Sequence, residues 1–238
     1  MRVASPSELW FNPKMLLSSL LFASWFALAS DGSSGNASQI VWPDAAAVQL
    51  SSPLPKCGAG YGRALPLLPD GPSYTRSEES VSHGSALLIE GIRAVAAAMS
   101  AGYPDTQRIL VGRLNQPGGA RNKYLMHQDG LDGDVGIYTM SGEQAGFGRE
   151  ATPQTLDKEH TWAEIQRFFA TGKVMWILLD QSLIDTLHAW LVSTKQLTPE
   201  QAARTFPGPG YQGFLAGETV MHASGHKNHM HVHMKCVE

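Results

Sequence analysis

The tightest constraint on this chain sits at its end. Five of its nine histidines, His222, His226, His229, His231 and His233, fall within the final seventeen residues. The last three alternate with Met230 and Val232, a period-2 pattern that predicts a strand over residues 230–234. Every second side chain of a strand shares a face, so His229, His231 and His233 are expected to point the same way. Imidazoles stacked on one face gain little from packing and repel one another when protonated. A metal ion accounts for that cost, because neutral imidazole is its commonest protein ligand. A purification tag would be a plain terminal run; these histidines are interleaved with Ala, Gly, Asn, Met and Val and are followed by Cys236.

A second half-site lies upstream, in His127-Gln128-Asp129-Gly130-Leu131-Asp132-Gly133-Asp134. The spacing suits a loop that carries His127, turns at Gly130 and enters a strand bearing Asp134. With the terminal cluster this offers two nitrogen ligands and one carboxylate, leaving a fourth position for water. That is the open arrangement of catalytic rather than structural zinc. Spacing alone does not choose among the terminal histidines. Asp132 is an alternative ligand, but alternation is expected to turn it to the opposite face, in a supporting role. His83, His160, His188 and His222 are scattered, and surface or core positions are expected for them.

The rest of the chain alternates helical and extended patterns. Ser85 is placed to cap a helix in which Leu87, Ile89, Ile92, Val95, Ala96 and Met99 recur at helical spacing, stopped by Gly102 and Pro104. Residues 108–114 and 135–140 read as strands. Asp157 or Thr161 begins a helix with Trp162, Ile165, Phe168 and Phe169 on its apolar face. Residues 174–179 form a buried strand. Ser182 is expected to cap a third helix, and Thr198-Pro199-Glu200 opens a short fourth with proline at its first position. Trp162, Trp176 and Trp190 are read as core. The fold expected is α+β, a small, mainly antiparallel sheet flanked by helices, with the long loops that 24 glycines and 14 prolines imply.

Residues 1–29 read as an export signal. Arg2 and Lys14 precede a nearly all-apolar run from residue 15, and Ala27-Leu28-Ala29 supplies a cleavage pattern. Met15 is an alternative start. Residues 30–56, rich in Ser, Ala and Pro, read as a linker or loosely ordered arm before a domain over 57–238. No second apolar stretch of about 20 residues follows, so no stable membrane span is expected after cleavage. A net charge of -3 without basic runs excludes an electrostatic footprint for nucleic acid. In an oxidising compartment Cys57 and Cys236 can form one disulfide, with two separate free thiols as the alternative.

HQDGLDGDVGIY resembles the His-Gln-x-Gly-x-Asp-x-Asp segment of penicillin-insensitive murein endopeptidases, and GHKNHMHVHMKC resembles their closing Gly-His-x-x-His-x-His-Val segment. The likeness extends through LPDGPSY, VGRLNQPGG, LDKEHTWAEIQ and VMWILLDQ, within the wider lysostaphin and D-Ala-D-Ala metallopeptidase group. It implies a periplasmic zinc metalloendopeptidase acting on the D-alanyl–diaminopimelyl cross-links of peptidoglycan stem peptides. It also implies His127, Asp134 and His231 as Zn2+ ligands, His229 as the catalytic histidine and His226 as a further active-site histidine. Three positions depart from the family pattern. His233 stands where arginine is usual, Tyr124 where another histidine is common, and Gly133 where a larger apolar residue is expected, which would loosen the loop before Asp134. Tyr138, Arg113 and Asn115 are candidates to line the cleft. No Gly-x-Ser-x-Gly arrangement is present, and penicillin is not expected to acylate the protein. Two rivals predict different behaviour: a non-catalytic cell-wall-binding module on the same fold, and a periplasmic metal-binding protein that loads several ions per chain.

Overall fold

In the computed structural model, residues 49–57, 64–78, 81–117, 127, 129–142, 144–146, 149–208 and 218–237 are described. The expected export signal, most of the expected arm and Tyr124 lie outside the described residues. In chain order the elements are β1 (Tyr74–Arg76), α1 (Ala86–Gly102), β2 (Ile109–Val111), β3 (Asp132–Tyr138), β4 (Gln144–Ala145), α2 (Lys158–Ala170), β5 (Val174–Leu179), α3 (Gln181–Ser193), α4 (Pro199–Thr205), β6 (Thr219–His222) and β7 (His229–Met234). The strands form one sheet in the order β1-β2-β3-β7-β5-β6, with β4 pairing on β3.

The fold is α+β as expected, but the sheet is mixed rather than mainly antiparallel. β1–β2 and β5–β6 are parallel, while β2–β3, β3–β4, β3–β7 and β5–β7 are antiparallel. Parallel neighbours need a crossover connection, and helices supply it. α1 carries the chain from β1 to β2, and α3 with α4 carries it from β5 to β6. The parallel partners β1 and β6 have only three and four residues, and neither has an apolar pattern that marks it as a strand.

The helices start where short polar side chains satisfy first-turn amides. Ser85 accepts from the Leu88 amide, Asp157 from that of His160, and Thr198 forms a reciprocal capping box with Gln201. The α3 cap is Asp180 rather than Ser182. The Asp180 carboxylate accepts from the Ser182 amide at 3.0 Å and from its hydroxyl at 2.6 Å, so Ser182 lies inside the helix and props its cap.

α1 covers one face of the central strands. Leu88 and Ile92 pack beneath Gly133 of β3, and Met234 of β7 reaches α1 at Gly91. Leu88, Ile92, Val232 and Met234 are fully buried, and each such side chain contributes roughly 1.5–3 kcal/mol by leaving water. Gly133 belongs to this packing and is not a loosened loop. It lies within β3 opposite Val232, and a Cβ there would stand 2.8 Å from Leu114 Cδ2. Because side chains alternate, the carboxylates and histidines of β3 and β7 project from the other face.

Cys57 and Cys236 are joined by a disulfide, with Cα atoms 5.0 Å apart across 179 residues of sequence. Around it Cys57 N–H donates to the Val237 carbonyl and Val237 N–H to that of Pro55. Upstream, Ser51 and Ser52 donate their backbone amides to the Glu90 carboxylate on α1.

Candidate metal centre

The β3–β7 register builds the site. Asp132 lies opposite His233, Asp134 opposite His231 and Gly136 opposite His229. Residues opposed across antiparallel strands share a face, so these rungs present two carboxylates and three imidazoles together. His127 arrives from the preceding loop. Gly130 turns that loop at φ 78°, a left-handed conformation that glycine adopts without a Cβ clash.

The donors converge on one atom. Asp134 Oδ1 lies 3.3 Å from His127 Nε2, 3.0 Å from His231 Nδ1 and 3.5 Å from His229 Nε2. One donor atom from each of His127, Asp134 and His231 falls within 4.8 Å of the others, and all three residues are buried. A tetrahedral ion with bonds of about 2.0 Å spaces its ligand atoms about 3.3 Å apart, which matches the His127–Asp134 and His231–Asp134 separations. Buried charge is costly unless paired; two imidazoles and a carboxylate around a divalent ion meet that condition. This group can hold a metal ion.

Around the three donors the environment is graded. Burial raises the Asp134 carboxyl, but hydrogen bonds from His127 and His231 and the nearby imidazoles outweigh it and hold the group below the usual carboxylate range. Burial also works to lower His231, yet its bonds to Asp132 and Asp134 push it up to about 9. His229 is lowered to about 4, chiefly by burial, with Asp134 opposing; His226 is lowered as well, again chiefly by burial. His226 and His229 are the less buried members, with rings 4.8 Å apart. His229 Nδ1 donates to Asn228 Oδ1 at 2.6 Å. His226 Nδ1 lies 3.2 and 3.1 Å from the carbonyls of Ala223 and Ser224.

All five expected site residues, His127, Asp134, His226, His229 and His231, therefore come together. Asp132 does not face away: residues two apart on a strand share a side, and its Oδ1 lies 2.8 Å from His231 Nε2 and 2.7 Å from His233 Nδ1. His233 is a partly exposed residue of β7, held by its hydrogen bond to Asp132. Trp176 is buried, as expected of a core residue, and it also stacks on His233 at 4.4 Å and 7° and on His231 at 5.6 Å and 15°. Period-2 phasing of β5 against β7 is the signal that finds it. Tyr138 packs inside, with its ring 5.7 Å from that of His160, and Asn115 is buried in a loop bridge with His83; neither touches the site. Arg113 meets β3 through its backbone, accepting from the Asp134 amide. Ser224 and Lys227 have the Ser-x-x-Lys spacing of some acyl enzymes, but both are exposed at the turn around Gly225 rather than on a helix.

No protein-family model matches this chain, and a search of curated proteins finds no match. Among the described residues, no helix is long and apolar enough to cross a membrane, and the disulfide is consistent with an exported protein.

Proposed function

We propose that this chain is an exported zinc metalloendopeptidase of the periplasm that hydrolyses D-alanyl–diaminopimelyl cross-links in peptidoglycan. The observation that carries this reading is the single carboxylate oxygen of Asp134, within 3.5 Å of nitrogens from three histidines. The likeness of the two histidine segments to murein endopeptidases supports the choice of substrate.

In this reading His127, Asp134 and His231 hold zinc, which when bound supplies Lewis-acid polarisation of the scissile carbonyl and acidifies water. The protein's own groups handle the proton. Asn228 holds the N–H of His229 on Nδ1, which leaves Nε2 as the base that takes a proton from the attacking water. The Asp134 carboxylate, 3.5 Å away, stabilises the imidazolium so formed. His226, its ring beside that of His229, carries the proton on to the departing amine. Burial of the three donors keeps bulk water from competing for the ion, while the less buried His226 and His229 face arriving substrate.

Digestion of purified sacculi followed by mass spectrometry of the muropeptides tests the proposal. Cross-linked dimers should fall to monomers, and a chelator should stop the reaction. Intact dimers after incubation with zinc-loaded protein would contradict it, as would cleavage indifferent to chelation.

A further inference from the structure

We infer that Asp132 is a positioning residue: it holds the proton of His231 on Nε2, keeping Nδ1 bare towards Asp134, and His233 with Trp176 locks that carboxylate and ring in place. The inference rests on the metal-site reading and adds residues that this reading does not need as ligands.

Both ring nitrogens of His231 face carboxylates. Nδ1 lies 3.0 Å from Asp134 Oδ1, and Nε2 lies 2.8 Å from Asp132 Oδ1. A neutral imidazole carries one N–H, so a cation shared by Nδ1 and Asp134 requires that proton on Nε2. A buried N–H stays there only with an acceptor, and an ionised carboxylate is an acceptor alone. Asp132 is that acceptor, and it is itself buried. Its Oδ1 takes a second N–H from His233 Nδ1 at 2.7 Å, which fixes the oxygen from the far side. His233 lies flat against Trp176 at 4.4 Å and 7°, and the same indole runs nearly parallel to His231. The cross-strand register sets all of these, with Asp132 opposite His233 and His233 opposite Trp176. Ring rotation of His231 is thus limited by a flat wall and by the hydrogen bond from Nε2 to Asp132.

The test is zinc affinity, measured by competition with a chromophoric chelator, together with nitrogen-15 NMR of the histidine rings in zinc-loaded protein. Asp132→Ala should weaken zinc binding by about 10–100-fold, the usual loss when a ligand's hydrogen-bond partner is removed. Asp132→Asn, which keeps the volume and a carbonyl acceptor without the charge, should fall between wild type and Ala. His233→Phe, which keeps the stack on Trp176 but loses the donor, should cost less than Asp132→Ala. In wild type the His231 spectrum should place the proton on Nε2, and in Asp132→Ala that proton should exchange rapidly with solvent. A merely structural Asp132 would lower the melting temperature and leave both readouts unchanged in the folded fraction. Wild-type zinc affinity in Asp132→Ala overturns the inference, and so does a proton on His231 Nδ1 in the loaded protein. Should the Ala variant not fold, wild-type affinity in Asp132→Asn overturns it equally. A wild-type chain that takes up no zinc overturns instead the reading on which the inference rests.

Discussion

Asp134 Oδ1 gathers three imidazole nitrogens, and of these histidines His127 and His231 are more deeply buried than His229. In the proposed mechanism His229→Ala removes the proton acceptor and leaves His127, Asp134 and His231 in place, so zinc content should stay at the wild-type level. Turnover should fall by about 100-fold or more, the usual contribution of a positioned base; loss of zinc from this variant would contradict the role. Away from the site, Glu164 on α2 is fully buried, with neither carboxylate oxygen hydrogen-bonded among the described residues. Burial raises its pKa well above the ordinary 4.5, and the charge of Arg167 offsets only part of that. The folded chain therefore keeps this proton to a higher pH than the unfolded chain, and stability present below about pH 4.5 is lost as pH rises towards the folded value. Glu164→Gln, which does not titrate, should raise the melting temperature at pH 7, by roughly 2–4 °C for each 1 kcal/mol gained. The gain should shrink at pH 4; equal gains at both pH values would show that titration is not the cause. Spacing marks the terminal histidines and the His127–Asp134 segment as candidate donors, but only the resemblance to murein endopeptidases singles out His226, His229 and His231 among the five terminal histidines. Asp132 shares a strand face with position 134, against the expectation that it turns away, and the stack of buried Trp176 on His231 and His233 depends on a cross-strand partner that the pattern of β5 alone does not give.

The β3–β7 ladder carries the site, so its packing controls the chemistry. Gly133 sits between the two aspartates of β3 with Leu114, Leu88 and Ile92 where a side chain would go. Gly133→Val should cost about 1–3 kcal/mol by overpacking, read as a lower denaturation midpoint, and should weaken zinc retention by moving Asp132 and Asp134. The α3 cap gives a simpler check. Asp180→Ala should cost about 1 kcal/mol, the worth of a lost N-cap. Ser182→Ala, which leaves the carboxylate on the Ser182 amide, should cost less; the reverse order would restore Ser182 as the cap. Elements with a full hydrophobic period were readable: α1, α2, β5 and β7 fall close to where the pattern puts them. β1, β4 and β6 span two to four residues, too short for period-2 alternation, and exist because neighbouring strands offer them hydrogen bonds. Missing β1 and β6 is what made the sheet read as mainly antiparallel.

Across the whole molecule the Cys57–Cys236 disulfide fastens the end of β7 to residues near the start of the described fold. Closing a loop of this size constrains the unfolded chain by roughly 5 kcal/mol at most in the entropic model. A Cys57→Ser, Cys236→Ser double variant should therefore unfold at lower denaturant, checked by urea titration, while its folded fraction keeps Asp134 of β3 in register with His231 of β7. From the sequence two free thiols stand as the alternative to pairing; the structure shows the disulfide. The convergence of His127 with residues about a hundred positions later was readable as chemistry but not as topology, because it depends on β7 inserting between β3 and β5. Metal stoichiometry by native mass spectrometry tests the central claim most directly. The account predicts one zinc per wild-type chain and none retained by Asp134→Ala; a wild-type chain with no zinc, or with several ions that survive that substitution, would contradict it.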